Sequence, residues 1–243
     1  MNLPYFYEQN ILAPTHTLSE ETSKHCVQVL RMKNGAQLQL TDGNGNLFLA
    51  TIINADKKKC EVKIESTTNS KPQTTNIVIA ISLLKNPTRF EWFIEKATEI
   101  GVREIIPLIC DHTEKENFRF DRTNNILISA MLQSQQTWLP QLHQPKKFND
   151  FIKDDFNGLK LIAHCVETEK ISLPELAVQN KNKLMLIGPE GDFSNTEIEI
   201  ALQRNYIPVT LGATRLRTET AGIVAASLLC NLSMDDGFAY KKI

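Results

Sequence analysis

The sequence predicts a small antiparallel β barrel followed by a larger α/β domain built on a parallel sheet, and three observations predict it. Residues 1–70 carry short runs of alternating apolar and polar residues separated by turn signals. From Asn76 to the end at residue 243, apolar strand-like runs alternate with helix-period segments that open on capping signals. Between the two lies a polar stretch containing a proline, residues 67–75 (TTNSKPQTT), of which 71–75 is taken as the linker proper.

The elements follow in order. A short helix is expected over residues 20–30, then strands at 37–40, 47–53 and 60–64, divided by turns at 33–35, 42–45 and 55–57. Residues 77–84 form an apolar strand with no glycine fingerprint after it, which argues against a dinucleotide-binding domain. Thr88 and Glu91 fit a capping box, Phe90, Phe93, Ile94, Ala97 and Ile100 share a helical face, and Gly101 stops the helix before a strand at 102–109. Asp121 is placed to cap a helix through Leu127, Ala130, Met131 and Ser134. Trp138, just beyond, reads as a core or interface anchor. A strand at 160–163 ends on His164, read as a satisfied buried histidine, and Ser172 with Glu175 offers a further cap.

The last third is the most informative. A buried strand at 184–187 runs into GPEGDFS (residues 188–194), where Ser194 and Glu197 form a capping box for a helix with Ile198, Ala201 and Leu202 inside. A short strand at 209–211 leads to LGATRLRTETA (residues 211–221), and residues 220–230 are so uniformly apolar or small that a helix there must be buried nearly all round. Ligands bind at the carboxyl ends of strands in such sheets. Two arginines, a glutamate and several hydroxyls at the mouth of a buried helix need partners, so this loop is a candidate site.

Composition narrows the function. Basic and acidic residues number 27 and 28, a net charge of -1 with pI near 6.5, so nucleic acid is not held by global charge and any contact comes from local clusters. Five scattered cysteines without paired spacing exclude a zinc site and fit mostly buried, reduced thiols. No signal-peptide pattern and no membrane-length apolar run is present. A cytoplasmic, metal-free protein with no membrane or DNA partner is expected.

Taken together, residues 188–194, residues 211–221 and FEWFIEKATEIGVREIIPL (residues 90–108), with His25, Val29, Leu30, Arg31, Asp42 and Gly43 upstream, resemble the RsmE family. These are SPOUT-class methyltransferases that modify a uridine of 16S ribosomal RNA at N3 with S-adenosylmethionine. The resemblance implies a PUA-like RNA-binding barrel, a SPOUT domain with a trefoil knot, and a homodimer acting on the small ribosomal subunit. It implies donor binding by Leu186, Gly188, Gly191, Leu211, Gly212, Leu216 and Thr220, glycines allowing close approach to the main chain. Arg217 is the choice for stabilising charge on the uracil or gripping a phosphate, and Glu219 for orienting Arg217 or accepting the N3 proton. Arg31, Lys33, Arg89, Arg119 and Arg217 are the expected RNA contacts, and the lysines at 57–59 are further candidates. Arg89 pairing with Glu91 or Glu95, and Glu190 capping its own loop, are the plainer readings of those residues. At residues 132–136 the chain reads LQSQQ, where many members carry glutamate, glutamine, a small residue, glycine and arginine. Rival readings are a ribose 2′-O-methyltransferase and a non-catalytic RNA-binding assembly factor.

Overall fold

The computed structural model describes residues 3–71, 75–178 and 182–232, and the chain divides into two compact units. Residues 72–74, within the expected linker, and 233–243 lie outside the described residues.

The first unit, Met1–Pro72 with Met131–Leu139, is a curled antiparallel sheet. It contains β1 (Tyr5–Tyr7), β2 (Thr15–Thr17), α1 (Glu20–Lys24), a π-helical turn (His25–Val29), β3 (Gln37–Thr41), β4 (Asn46–Asn54) and β5 (Glu61–Asn69). Strand order is β1-β3-β4-β5-β2, with only the β1–β3 pair parallel. No ladder joins β1 to β2 among the described residues, so the expected barrel is an open sheet bent by irregularities at Leu49/Ala50 and Ile52/Asn54. Leu38, Leu40, Ala50, Ile52, Cys60 and Val62 point inward at the period of two that predicted the strands. β5 is longer than expected and takes in Thr67, Thr68 and Asn69 from the polar stretch. The expected helix over 20–30 changes its winding at His25. Leu30 N–H reaches back five residues to the His25 carbonyl (3.0 Å), which keeps Cys26 in the core while Val29 and Leu30 face outward.

The segment Met131–Leu139 packs within this unit. Gly45 N–H donates to Thr137 O (2.8 Å), Leu139 N–H to Gly43 O (2.9 Å) and Tyr5 OH to Gln136 O (2.8 Å). Gly45 has φ 89° and a Cβ there would fall 2.4 Å from the Trp138 ring, so glycine is required for the tryptophan to seat.

The second unit carries β6 (Ile77–Ser82), α2 (Pro87–Ile100), β7 (Glu104–Ile109), α3 (Phe120–Gln133), β8 (Gln141–Leu142), β9 (Lys146–Lys147) and α4 (Phe148–Phe151). It continues with β10 (Leu159–Ala163), β11 (Ile171–Ser172), α5 (Leu173–Ala177), β12 (Lys183–Ile187), α6 (Asn195–Gln203), β13 (Ile207–Thr210) and α7 (Thr218–Leu232). All its strand pairs are parallel, in the order β11-β13-β10-β12-β6-β7-β8, with β9 also on β7. β6 and β12 are buried along their whole lengths, as strands covered on both faces are.

Local signals were read with mixed success. The Ser194–Glu197 capping box is present as expected. At α2, by contrast, the cap is Asn86, whose side chain accepts from Thr88 N–H, with Pro87 at the first helical position where its missing donor costs nothing. Glu91 is drawn instead to Arg122 (2.5 Å). α3 opens at Phe120, which puts Asp121 in the first turn and not at the cap. Ser172 occupies the cap position of α5 without a side-chain bond. α7 is buried on one face only, through Gly222, Ala225, Ala226, Leu229 and Cys230, while Ile223 and Leu228 remain half-exposed. Its close seat on α2 and β6 depends on Gly222, where a Cβ would lie 2.7 Å from Phe93 and 3.0 Å from Ile81.

Candidate active site

β13, β10 and β12 are adjacent and parallel, so their carboxyl ends open on the same side. The loops that follow Ala163, Ile187 and Thr210 must therefore converge. They enclose a cavity of about 720 Å³ whose walls include Ala163, Ile187, Pro189, Leu211 and Leu216 beside polar and charged side chains, with buried Gly188 and exposed Gly212 among its lining residues.

The loop after β12 is cross-braced. Asp192, with φ 66°, accepts from Cys165 N–H (2.6 Å) through one oxygen and from Phe193 N–H (2.8 Å) through the other, tying two walls together. Glu190 accepts from Lys85 N–H (3.2 Å), so it braces the loop after β6 and not its own amides. His112 Nδ1 lies 2.9 Å from Asp192 O. Buried Glu197 accepts from Ser194 N–H (2.9 Å) and Asp111 N–H (3.0 Å), and burial pushes its carboxyl above the ordinary range.

The loop after β13 has little of this. Among the described residues, its bonds are Thr210 Oγ1 with Gly212 (3.1 and 3.4 Å) and Ala221 N–H to Arg217 O (2.7 Å), which starts α7. Gly212 has φ 145°, a backbone state that residues with a side chain rarely adopt, and open space where its Cβ would be.

Gly188, Leu211, Gly212, Leu216 and Arg217 come together on the cavity wall. Leu186 is buried in β12 below it. Gly191 is exposed beside His112, and Thr220 sits half-buried in the first turn of α7; neither lines the cavity. Glu219 is buried and faces Arg89 on α2, with Oε1 3.8 Å from Nε, because the second residue of α7 points toward α2. No ion pair joins it to Arg217 among the described residues, so the expected orienting role is corrected: its cation is Arg89, which pairs with neither Glu91 nor Glu95. Glu219 Oε2 is buried without a hydrogen bond. Arg119 is exposed ahead of α3, and Arg31 and Lys33 are exposed in the first unit.

His164, Lys170 and Asp192, on the cavity wall, were not among the site residues read from the sequence. His164 is buried as expected but not satisfied. Neither ring nitrogen completes a well-formed hydrogen bond, and burial first, then Lys170, holds its pKa below the ordinary 6.5. Asp192 stood in plain view inside GPEGDFS, whereas nothing marked Lys170. Among the described residues no group of side chains could hold a metal ion, and no helix is long and apolar enough to cross a membrane.

Comparison with known proteins matches this architecture. A "RNA methyltransferase PUA domain" model matches residues 18–65, and a "RNA methyltransferase domain" model matches residues 70–230. A probable rRNA-methyltransferase from Porphyromonas gingivalis superposes with TM-score 0.87 at 37% identity, covering 95% of this chain and 98% of that one. A ribosomal RNA small subunit methyltransferase E from Neisseria gonorrhoeae bound to S-adenosyl methionine gives TM-score 0.85 at 26% identity, covering 95% and 98%. In sequence, the ribosomal RNA small subunit methyltransferase E of Buchnera aphidicola is 30% identical over 220 residues, 87% of this chain and 86% of that protein. With a family model spanning the unit that holds the cavity, and relatives that match nearly end to end, the chain belongs to the RNA methyltransferase domain family.

Proposed function

We propose that this protein methylates a uridine of 16S ribosomal RNA at N3, using S-adenosylmethionine, in the assembled small ribosomal subunit. The observation that carries the reading is the cavity itself: about 720 Å³, within the usual range for small-molecule sites, lined by apolar side chains such as Ile187, Leu211 and Leu216 together with polar groups, with glycines at 188 and 212, and opening beside Arg217. Those residues fit an adenosyl group, which wants an apolar slot and a few directed hydrogen bonds. The methyltransferase relatives support the target class, one of them having S-adenosyl methionine bound.

S-adenosylmethionine would supply an electrophilic methyl group. The chain's contribution is largely positioning, since the uridine nitrogen must lie in line with the methyl carbon and its leaving sulfur. Gly188, Leu211, Gly212 and Leu216, on the cavity wall, are the core of the proposed donor-binding set, which also takes in Leu186, Gly191 and Thr220 from beside the cavity. Arg217, exposed on the rim and permanently charged, stabilises the anionic uracil or grips an adjacent phosphate. Glu219 serves at one remove, by fixing Arg89 as a further RNA contact with Arg119, Arg31 and Lys33. Proton acceptance at N3 by Glu219 is the lesser alternative.

The division into residues 1–70, 71–75 and 76–243 is retained as a proposal, testable by limited proteolysis. A trefoil knot through the two loops is part of the reading, supported by their meeting at one cavity. A homodimer is supported by the half-exposed apolar face of α7, together with Trp92, 44% exposed on α2. A cytoplasmic location suits four buried cysteines, with the Cys26 thiol pushed to about 12 by burial.

Calorimetry with S-adenosylmethionine and S-adenosylhomocysteine tests the donor, and small subunits lacking the modification test the product. Methylation at N3 stops reverse transcriptase. Resistance to alkaline cleavage would mark ribose methylation instead, and no donor binding would leave an RNA-binding factor.

A further inference from the structure

The parallel sheet of the second unit carries a second pocket, at the end away from the cavity. Its walls start from Asn76, just before β6, from Glu104, which opens β7, and from Leu184, the second residue of β12. These strands are neighbours and parallel, so their amino ends share one edge of the sheet. The pocket measures about 650 Å³, within the range of roughly 300–1,000 Å³ over which small-molecule sites occur.

Its lining is apolar below and acidic above. Val78, Phe151 and Leu184 are buried in the core, and Ile106 and Phe156 pack partly buried against them. The charged lining residues are the carboxylates of Glu104, Asp154 and Asp155 against one lysine, Lys146. Lys146 Nζ donates to Asp154 Oδ1 (2.7 Å), so that pair is matched. Glu104 accepts from Asn76 Nδ2 (2.6 Å), lies 3.2 Å from His143 Nε2, and is within electrostatic reach of Arg103, outside the lining. Asp155 is exposed and forms no ion pair or hydrogen bond among the described residues.

The wall is braced without a ligand. Asn182 Oδ1 accepts from Asn76 N–H (2.9 Å), Asn182 O from Leu159 N–H (2.8 Å), and Asn76 O from Lys183 N–H (2.9 Å). These bonds lash together the starts of β6, β10 and β12. Glu104 can only accept, which turns the Asn76 amide nitrogen toward it and leaves Asn76 Oδ1 buried without a donor. An unmet acceptor and an unmatched carboxylate both call for N–H groups.

Charge decides the class of occupant. Phosphates and other anions would meet three carboxylates, and a plain hydrocarbon would leave Asp155 unmatched while covering the floor. A protonated amine on an apolar body satisfies both parts. We propose that this pocket binds a small organic cation, its apolar body on Phe151, Phe156 and Leu184 and its ammonium paired with Asp155. The proposal is independent of the methyl-donor reading, which concerns the other end of the sheet.

The test titrates the full chain with phenethylamine, phenethyl alcohol and phenylpropionate, matched in body and different in charge, followed by saturation-transfer NMR. The amine should bind with a dissociation constant of about 1 mM. The alcohol should bind about fivefold more weakly, and the anion not measurably. Asp155→Asn, an exposed change, should bring the amine down to the alcohol's affinity and leave the alcohol unaffected. Phe156→Ala, its folding checked by the urea midpoint, should weaken amine and alcohol alike. Saturating S-adenosylhomocysteine should not displace the amine. An amine that binds no tighter than the alcohol, that keeps its affinity in D155N or in folded F156A, or that is displaced by S-adenosylhomocysteine overturns the proposal.

Discussion

Two of the three loops that build the cavity have similar lengths and opposite constructions. The loop after β12 is pinned at Glu190, Asp192 and Ser194 to three other segments, while the loop after β13 makes almost no bonds beyond its own residues. The braced loop shows a shape set before ligand arrives. The loose one carries Arg215 and Arg217 exposed to solvent, so their placement is left for ligand and RNA to complete. One wall is a template, and the other is a clasp.

The largest expected effect breaks the clasp's chemistry. Arg217→Ala should lower single-turnover methylation of small subunits by about 100-fold or more, with S-adenosylhomocysteine affinity changed little. The reading of Arg217 as the charge-stabilising group does not survive an unchanged rate. A second variant breaks the template. Asp192→Ala deletes two charge-assisted bonds to backbone N–H groups and should cost about 3 kcal/mol of folding stability in urea titration. Donor affinity should fall with it. Stability lost at Arg217, or kept at Asp192, would reverse the roles assigned to the two loops.

The contrast also explains what could be read in advance. Buried strands, alternating strands and the Ser194–Glu197 box are local patterns, so residues near one another in sequence declared them. Asp192 binding Cys165, Glu219 facing Arg89 and Trp138 seated over Gly45 join residues from 27 to 130 positions apart, and single-strand patterning carries no information about them. The cover expected all round α7, from its own core or from a second subunit, is supplied within the chain on one face only, for a related reason. Apolar composition shows that a helix wants cover, but whether that cover comes from its own chain depends on packing that periodicity does not specify.

Gly212 sharpens the comparison on the loose side. Nothing stands within 4 Å of the position a Cβ would take, so Gly212→Ala creates no clash and tests backbone freedom alone. A φ of 145° is costly for alanine, by about 1–2 kcal/mol. Because the loop is exposed and loosely held, it can relax in the free protein and pay that cost only when it closes on the donor. Thermal stability should stay within a few degrees of wild type, while donor affinity measured by calorimetry falls about tenfold. Equal effects on both would mean that the loop is as rigid as its neighbour.

The third wall, after β10, decides which construction prevails there, and its effect is the smallest. Cys165 N–H is held by Asp192, as in the braced loop, yet adjacent His164 has both ring nitrogens unsatisfied. Burial and the nearby Lys170 lower its pKa, while Asp192 and the Val166 backbone oppose them more weakly. The unfolded chain therefore takes up a proton near 6.5 that the folded chain refuses until lower pH. Stability from this source is complete above 6.5 and is lost as pH falls toward the folded value, with a slope of at most one proton. In His164→Gln that part of the slope should vanish from urea midpoints compared at pH 7.5 and 5.5, leaving the slopes due to other groups. A variant that keeps the wild-type slope would mean that the wall opens readily enough for the imidazole to protonate in the folded state, which would place it with the clasp.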